Sequence, residues 1–240
     1  MTLQESERDE ARAAPVFNAP PIVVWLIAAL LFIHGAIFVL PSRAAALVDY
    51  YGAVSPRAFL SGPAVQGGFF RMLFPLVAHI FIHASWMHVI MNSVWLLVFG
   101  APIACRLGAG SGLPPKPVAI FLAFFILSGV AGAITFIVIH PDADSLLVGA
   151  SGGISGLLGG VVRFGFRPPW ALPPGRQFVP LSDRTVLAWS IVILVLNLAT
   201  GLFGGQIVRG AASIAWEAHM GGYLFGLLTF PVFAVAARPH

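Results

Sequence analysis

The sequence GASGGISGLLGG, residues Gly149 to Gly160, decides how the rest of this chain is interpreted. Six of its twelve residues are glycine, and it lies within a strongly hydrophobic sequence. A membrane helix that mainly contacts lipid would carry leucine, isoleucine and phenylalanine here, so the glycines predict that other helices approach this backbone closely. Ser151 is the reactive group of the segment. We hypothesise that it is a nucleophile held within a bundle of membrane helices.

The overall composition places the chain in a membrane. Only 9% of its 240 residues are charged and 58% are hydrophobic, whereas charged residues make up about 25% of a typical soluble domain. Basic loops that face an anionic lipid leaflet explain the net charge of +4. We therefore expect a lipid bilayer around the protein and no nucleic acid partner. The single cysteine, Cys105, excludes an intramolecular disulfide.

Six apolar stretches predict the fold class, an all-α membrane protein built as a compact bundle of six transmembrane helices. A bilayer core about 30 Å thick needs roughly 20 apolar residues per helix. The predicted spans are residues 22–40, 85–105, 117–139, 146–162, 185–203 and 212–236. They form one membrane domain, residues 22–236, between a short disordered tail, residues 1–21, and a tail of residues 237–240. Repeated glycine and proline predict short interfacial helices in the outer loop, residues 42–84.

The distribution of basic residues predicts the orientation of this bundle. With both termini in the cytoplasm, nine of the thirteen basic residues lie in inner segments, as the positive-inside rule favours. The second, fourth and sixth helices then enter from the outer face. At about 1.5 Å per residue, Ser151 lies roughly 8 Å and His219 roughly 10 Å below the starts of their helices. His88 and Asn92 lie at a similar depth, so these four polar groups are expected near one another.

The region of the second helix carries candidate oxyanion donors. His88 and Asn92 are four residues apart and share a helix face, so that they can direct an imidazole and an amide at one point. His79 and His83 have the same spacing, which raises a metal site as an alternative. Zinc would need further protein ligands, and no acidic partner or cysteine pair lies nearby in the sequence, so we expect no metal and no cofactor. We expect His83 to bond backbone and brace the outer loop.

The sixth helix carries a candidate base. His219 is followed by Gly222 and Gly226, whose small-xxx-small spacing matches that of the glycines after Ser151. Two glycine-faced helices can pack backbone to backbone, which would bring Ser151 and His219 within hydrogen-bonding distance. The alternative is that Ser151 is a packing residue bonded to the carbonyl of the preceding turn.

A third member of a catalytic triad is not visible in the sequence. Glu217 is two residues from His219 and so points to a different side of the helix, where we expect a water-facing or interfacial group near the outer mouth. His34 and Asn197 are lone polar residues in apolar helices, and we interpret both as structural. The sequence therefore predicts a dyad.

Three patterns together resemble the rhomboid family of intramembrane serine proteases. They are His83-x4-His88-x3-Asn92, Gly149-Ala150-Ser151-Gly152 and Ala218-His219-x2-Gly222-x3-Gly226, each on the corresponding helix of the family. The resemblance implies that Ser151 is the nucleophile and His219 the general base. It implies an oxyanion site made of His88, Asn92 and the Ser151 backbone N–H. Residues implied to support the site are His83, Gly149, Gly152, Gly222 and Gly226.

The resemblance also implies a substrate class and a location. The partners would be transmembrane proteins whose spanning helix unwinds near its outer end, and the membrane would be the bacterial inner (plasma) membrane. The outer loop would lie partly in the membrane, and the fifth helix with residues 201–210 would be the gate. Two departures stand out: Phe70-Arg71 replaces a Trp-Arg pair, and Ser155 stands where some members have tyrosine.

Two other functions remain open from the sequence. One is a catalytically silent rhomboid-like protein that binds or unfolds membrane clients. The other is a small channel or transporter. Internal pseudo-symmetry would favour this function, but the sequence displays none. The sequence does not specify an oligomeric state.

Overall fold

The computed structural model describes residues 19–167, 178–207 and 215–237, with side chains of the fifth long helix described up to Gly201. Most of the predicted N-terminal tail and the last three residues lie outside the described part of the chain. The same holds for residues 208–210 of the glycine-rich segment 201–210 and for the side chains of residues 202–207. Helices dominate the described part of the chain, which confirms the all-α prediction. In chain order they are α1 (Pro21–Phe38), α2 (Ser42–Gly52), α3 (Pro56–Leu60), α4 (Pro63–Gln66), α5 (Phe69–Leu73), α6 (Pro75–Ala78), α7 (Trp86–Arg106), α8 (Pro115–Ile139), α9 (Ser151–Arg163), α10 (Arg184–Ile207) and α11 (Trp216–Ala236).

Five of the described helices are long and apolar enough to cross a membrane, judged by length and composition. They are α1, α7, α8, α10 and α11, which correspond to five of the six predicted spans. The remaining prediction corresponds to α9, which has only 13 residues. The outer loop folds into the short helices α2 to α6, followed by a 3₁₀ turn at His79–Phe81. Its proline and glycine residues interrupt each helix before it is long enough to span.

Helix α9 begins later than the sequence predicts, and this corrects the position of the serine. Residues 146–150 are not helical, because Leu147 pairs with Val54 of the outer loop through two backbone hydrogen bonds of 2.9 and 3.1 Å. Gly149 then turns the chain with a φ of +117°, a conformation that favours glycine. Ser151 is therefore the first residue of its helix, and the predicted depth of about 8 Å below the helix start is wrong.

Glycine backbones form the contact between α9 and α11. A Cβ atom built on Gly222 would overlap the carbonyl group of Gly152, and one built on Gly226 would overlap the carbonyl group of Gly156. The two backbones therefore touch along two successive helical turns, with no side chain between them. Helix α8 packs against the same pair, and the core beneath is aromatic, with Phe121, Phe124, Phe125 and Phe230 fully buried. This arrangement positions the first turn of α9 beside the first turn of α11.

We predict that Gly222→Ala destabilises the fold, because the new methyl group would meet the Gly152 carbonyl. Overpacking of a tight contact costs about 1–3 kcal/mol, which corresponds to about 2–4 °C in the unfolding midpoint for each kcal/mol. Thermal unfolding in detergent measures the effect. Gly35→Ala in α1 is the matched control, since its methyl group would find its nearest neighbour, Trp86, at an ordinary 3.6 Å. Equal midpoints for the two variants would show that the backbone contact is not tight.

Candidate functional site

The turn before Ser151 is held by the segment that precedes α7. The backbone N–H of Gly149 donates to the carbonyl of His79 at 2.8 Å. The N–H of Ala150 donates to Nε2 of His83 at 3.4 Å. His83 thus contacts backbone, but at the serine turn, which is more specific than the expected bracing of the outer loop. Both hydrogen bonds fix the chain immediately before the candidate nucleophile.

The acceptor role of His83 requires a neutral imidazole. This residue lies outside the long helices, in the segment before α7, and is 5% exposed. Burial, with smaller contributions from His88 and His34, lowers the pKa of His83 to about 3. The ring is therefore uncharged at neutral pH, and its Nε2 lone pair is free to accept from Ala150.

The structure brings Ser151 and His219 together. Nε2 of His219 lies 2.8 Å from Oγ of Ser151, at the end of the glycine contact between α9 and α11. This distance is typical of a hydrogen bond in which a hydroxyl donates to an imidazole nitrogen. A serine–imidazole contact is the arrangement in which a base can remove the hydroxyl proton.

A third residue, Asn197 of α10, also contacts the imidazole, a contact that the sequence-based interpretation of Asn197 as a lone structural residue did not include. Oδ1 of Asn197 lies 2.9 Å from Nδ1 of His219. The amide nitrogen of Asn197 donates to the carbonyl of Ile193 at 2.8 Å, which assigns the orientation of the amide. The sequence contained a hint, since a lone amide in an apolar membrane helix is costly. The partner lies on another helix, so spacing along the chain did not identify it.

His88 and Asn92 lie beside the turn at Gly149. A Cβ atom on Gly149 would lie 2.7 Å from two atoms of the His88 ring and 3.8 Å from Nδ2 of Asn92. Asn92 uses one N–H to donate to the carbonyl of His88 at 3.0 Å. An amide nitrogen carries two N–H groups, so a second donor remains. Both predicted oxyanion donors are therefore neighbours of the serine turn.

Glu217 does not face water, which was one of the two environments expected from the sequence. It is 6% exposed and its carboxylate lies 2.7 Å from Nε2 of His140, at the end of α8. The contact joins the end of α8 to the start of α11, two residues before His219. The buried carboxylate of Glu217 thus anchors the first turn of α11 to the end of α8.

The two histidines before α7 each contact a backbone group. Nδ1 of His79 lies 2.9 Å from the carbonyl of Pro75, and Nε2 of His83 accepts from Ala150. Within the described ranges, no group of three or more histidine, cysteine, aspartate or glutamate residues could hold a metal ion. His34 lies beside this segment, with its ring 6.5 Å from that of His83 and 4.7 Å from that of Trp86.

Sequence comparison relates this chain to known proteins. The family model of the Rhomboid domain matches residues 70–235. RHOMBOID-like protein 5 of Arabidopsis thaliana is 25% identical over 95% of the chain, and Rhomboid-like protease 5 of Toxoplasma gondii is 26% identical over 74% of it. Rhomboid protease GlpG of Serratia proteamaculans is 30% identical over 76% of the chain. The matches span 74%, 18% and 55% of these three relatives, respectively.

The chain belongs to the rhomboid family, because the family match covers more than half of it. Members of this family are membrane proteins, in agreement with the five apolar helices of the described structure. The resemblance inferred from the motifs at Asn92, Ser151 and His219 is thereby confirmed at the level of the family.

We predict that Gly149→Ala lowers the thermal stability more than Gly68→Ala does. Both glycines have a similar positive φ, at +117° and +122°, so an alanine is strained at either position at a cost of about 1–3 kcal/mol. Only at Gly149 would the methyl group also overlap the His88 ring, whereas nothing lies within 4 Å at Gly68. Thermal unfolding midpoints of the two variants, measured side by side, test this difference. The same decrease in both would mean that His88 does not press against the turn.

Proposed function

We propose that this protein is an intramembrane serine endopeptidase that cleaves transmembrane segments of membrane proteins near their outer ends. The observation that carries the proposal is the 2.8 Å contact between Oγ of Ser151 and Nε2 of His219. Family membership supports it, since rhomboid members are commonly intramembrane serine proteases and one relative is named a rhomboid protease. Both residues of the dyad are present in the chain.

In the proposed reaction Ser151 attacks the carbonyl carbon of the scissile peptide bond while its proton passes to Nε2 of His219. The tetrahedral intermediate collapses, His219 returns the proton to the leaving amine, and an acyl group remains on the serine oxygen. Water then loses a proton to His219 and attacks this ester. The carboxylic acid product leaves and the serine regains its proton.

The first turn of α9 offers backbone donors to the oxyanion. The first four N–H groups of a helix have no partner within the helix, and Ser151 is the first residue of α9. Its N–H can therefore donate to the oxyanion, together with the ring of His88 and the second N–H of Asn92. Donors that are already oriented before the reaction stabilise the developing charge without reorganisation.

We propose a six-helix arrangement in which α9 is the fourth, buried membrane helix. Its short length is tolerable because α7, α8, α10 and α11 surround it, and nine of its 13 residues are buried. Both termini would lie in the cytoplasm, as the basic residues favour. The exposed side chains of Phe69, Phe70 and Leu73 would place the outer loop partly in the outer leaflet. The membrane would be the bacterial inner membrane.

A fluorophosphonate probe, which reacts with an activated serine, tests the chemistry. We expect labelling of the wild-type protein and at least about a thousandfold loss with Ser151→Ala or His219→Ala, as for other serine hydrolases that lose a member of the triad. Cleavage of a single-span substrate in liposomes should disappear in parallel, while both variants keep the wild-type unfolding midpoint.

Folded wild-type protein that neither reacts with the probe nor cleaves the substrate would contradict the proposal. If such protein still captured the single-span substrate in a pull-down, it would instead be the catalytically silent client-binding protein. Labelling that persisted in Ser151→Ala would assign the reactive group elsewhere.

A further inference from the structure

A residue outside the three sequence motifs contacts the candidate base, His219, at its Nδ1 atom. His219 contacts Ser151 through Nε2 and Asn197 through Nδ1, so both ring nitrogens have a partner. We propose that Asn197 is a positioning residue that fixes the tautomer and the ring orientation of His219. The inference rests on the proposed function and extends the dyad to a chain of three residues on three helices.

The hydrogen-bond directions are determined from one end of the chain to the other. Nδ2 of Asn197 donates to the carbonyl of Ile193, so its other amide atom, Oδ1, faces the imidazole. An amide oxygen only accepts, and Nδ1 of His219 must therefore carry the proton. Nε2 then has a lone pair, which is the form that can take a proton from Ser151. Without the amide, the ring could bind its proton on Nε2 and lose this ability.

The packing of α10 holds the amide in place. Ser190, Ile193 and Asn197 follow one another at intervals of three and four residues, so they lie on one face of α10. Ile193 is 7% exposed, and Oγ of Ser190 lies 2.7 Å from the hydroxyl of Tyr223 on α11. Among the described side chains of this helix pair, the contact of Asn197 with His219 thus adds to the contact of Ser190 with Tyr223.

A purely structural role for Asn197 is the alternative, in which the bond serves only to attach α10 to α11. Ser190 provides a matched control, because it also makes a hydrogen bond between these two helices but bonds Tyr223 instead of His219. Loss of either bond weakens the attachment, whereas only loss of the Asn197 bond frees the imidazole. The two roles therefore predict different rates for variants at the two positions.

The experiment compares Asn197→Leu, Asn197→Asp and Ser190→Ala with the wild-type protein. We expect Asn197→Leu, which keeps the branching of the side chain but lacks the acceptor, to lower the rate of fluorophosphonate labelling about 10–100-fold, as loss of an orienting partner does for metal-binding histidines. The loss should appear in kcat for substrate cleavage, with KM changed little. Asn197→Asp restores an acceptor oxygen. We expect it to recover at least about a third of the decrease in the logarithm of the labelling rate. Ser190→Ala should stay within about threefold of wild type, in line with its distance from the reacting atoms.

A second measurement reads the tautomer directly. In protein labelled with ¹⁵N-histidine, the wild type and Ser190→Ala should show His219 protonated at Nδ1, whereas Asn197→Leu should show a mixture of both tautomers. Equal unfolding midpoints of Asn197→Leu and Ser190→Ala would establish that the two variants differ at His219 and not in the attachment of α10.

Wild-type rates and an unchanged tautomer in Asn197→Leu would overturn the inference. Equal losses in Asn197→Leu and Ser190→Ala would also overturn it, because they would assign the effect to helix attachment. If the wild-type protein is not labelled at all, the proposed function fails, and the tautomer spectra then decide whether Asn197 positions His219.

Discussion

The backbone contact between α9 and α11 is the constraint on which the site depends. No side chain separates Gly152 from Gly222, so the two helices approach until their backbones touch. Ser151 and His219 lie within one turn of this contact, and their 2.8 Å separation follows from it. Burial of apolar surface drives helix association weakly in lipid, where tight packing and interhelical hydrogen bonds carry more of the stability. The glycine contact therefore determines both the fold and the position of the candidate reacting groups.

The serine turn is fixed from its other side by chain that is distant in sequence. The carbonyl of His79 and the ring of His83 accept from the two residues that precede Ser151. Pairing of Val54 with Leu147 anchors the approach to the turn. Two segments thus determine where α9 begins, so its unpaired N–H groups point to a defined place before any substrate arrives. Such preorganisation is the main electrostatic advantage of a site that must bind a developing oxyanion.

The sequence predicted those parts of this arrangement that depend on spacing along one helix. Glycines at intervals of four identify faces that pack closely, and they identified Ser151 and His219 as neighbours. Interactions between distant segments left no such pattern. Because Leu147 pairs with Val54, α9 begins later in the chain than predicted. Glu217 contacts His140 at the end of α8, which its position in the sequence did not indicate. Asn197 was visible only as an isolated polar residue. Its partner depends on how α10 lies against α11, which residue spacing does not determine.

The chemical identity of the residue beside His219 follows from the environment. Serine hydrolases in water orient the imidazole with a carboxylate, which also stabilises the imidazolium that forms. A carboxylate within an apolar helix would lose its hydration, and a hydrogen bond from a neutral histidine would offset only part of this cost. An amide oxygen accepts the same hydrogen bond and carries no charge. The amide nitrogen donates to the carbonyl of Ile193 in the same helix, so this donor needs no polar partner on another helix. Asn197 thus keeps the orienting contact while the resting site remains neutral, as a membrane interior favours.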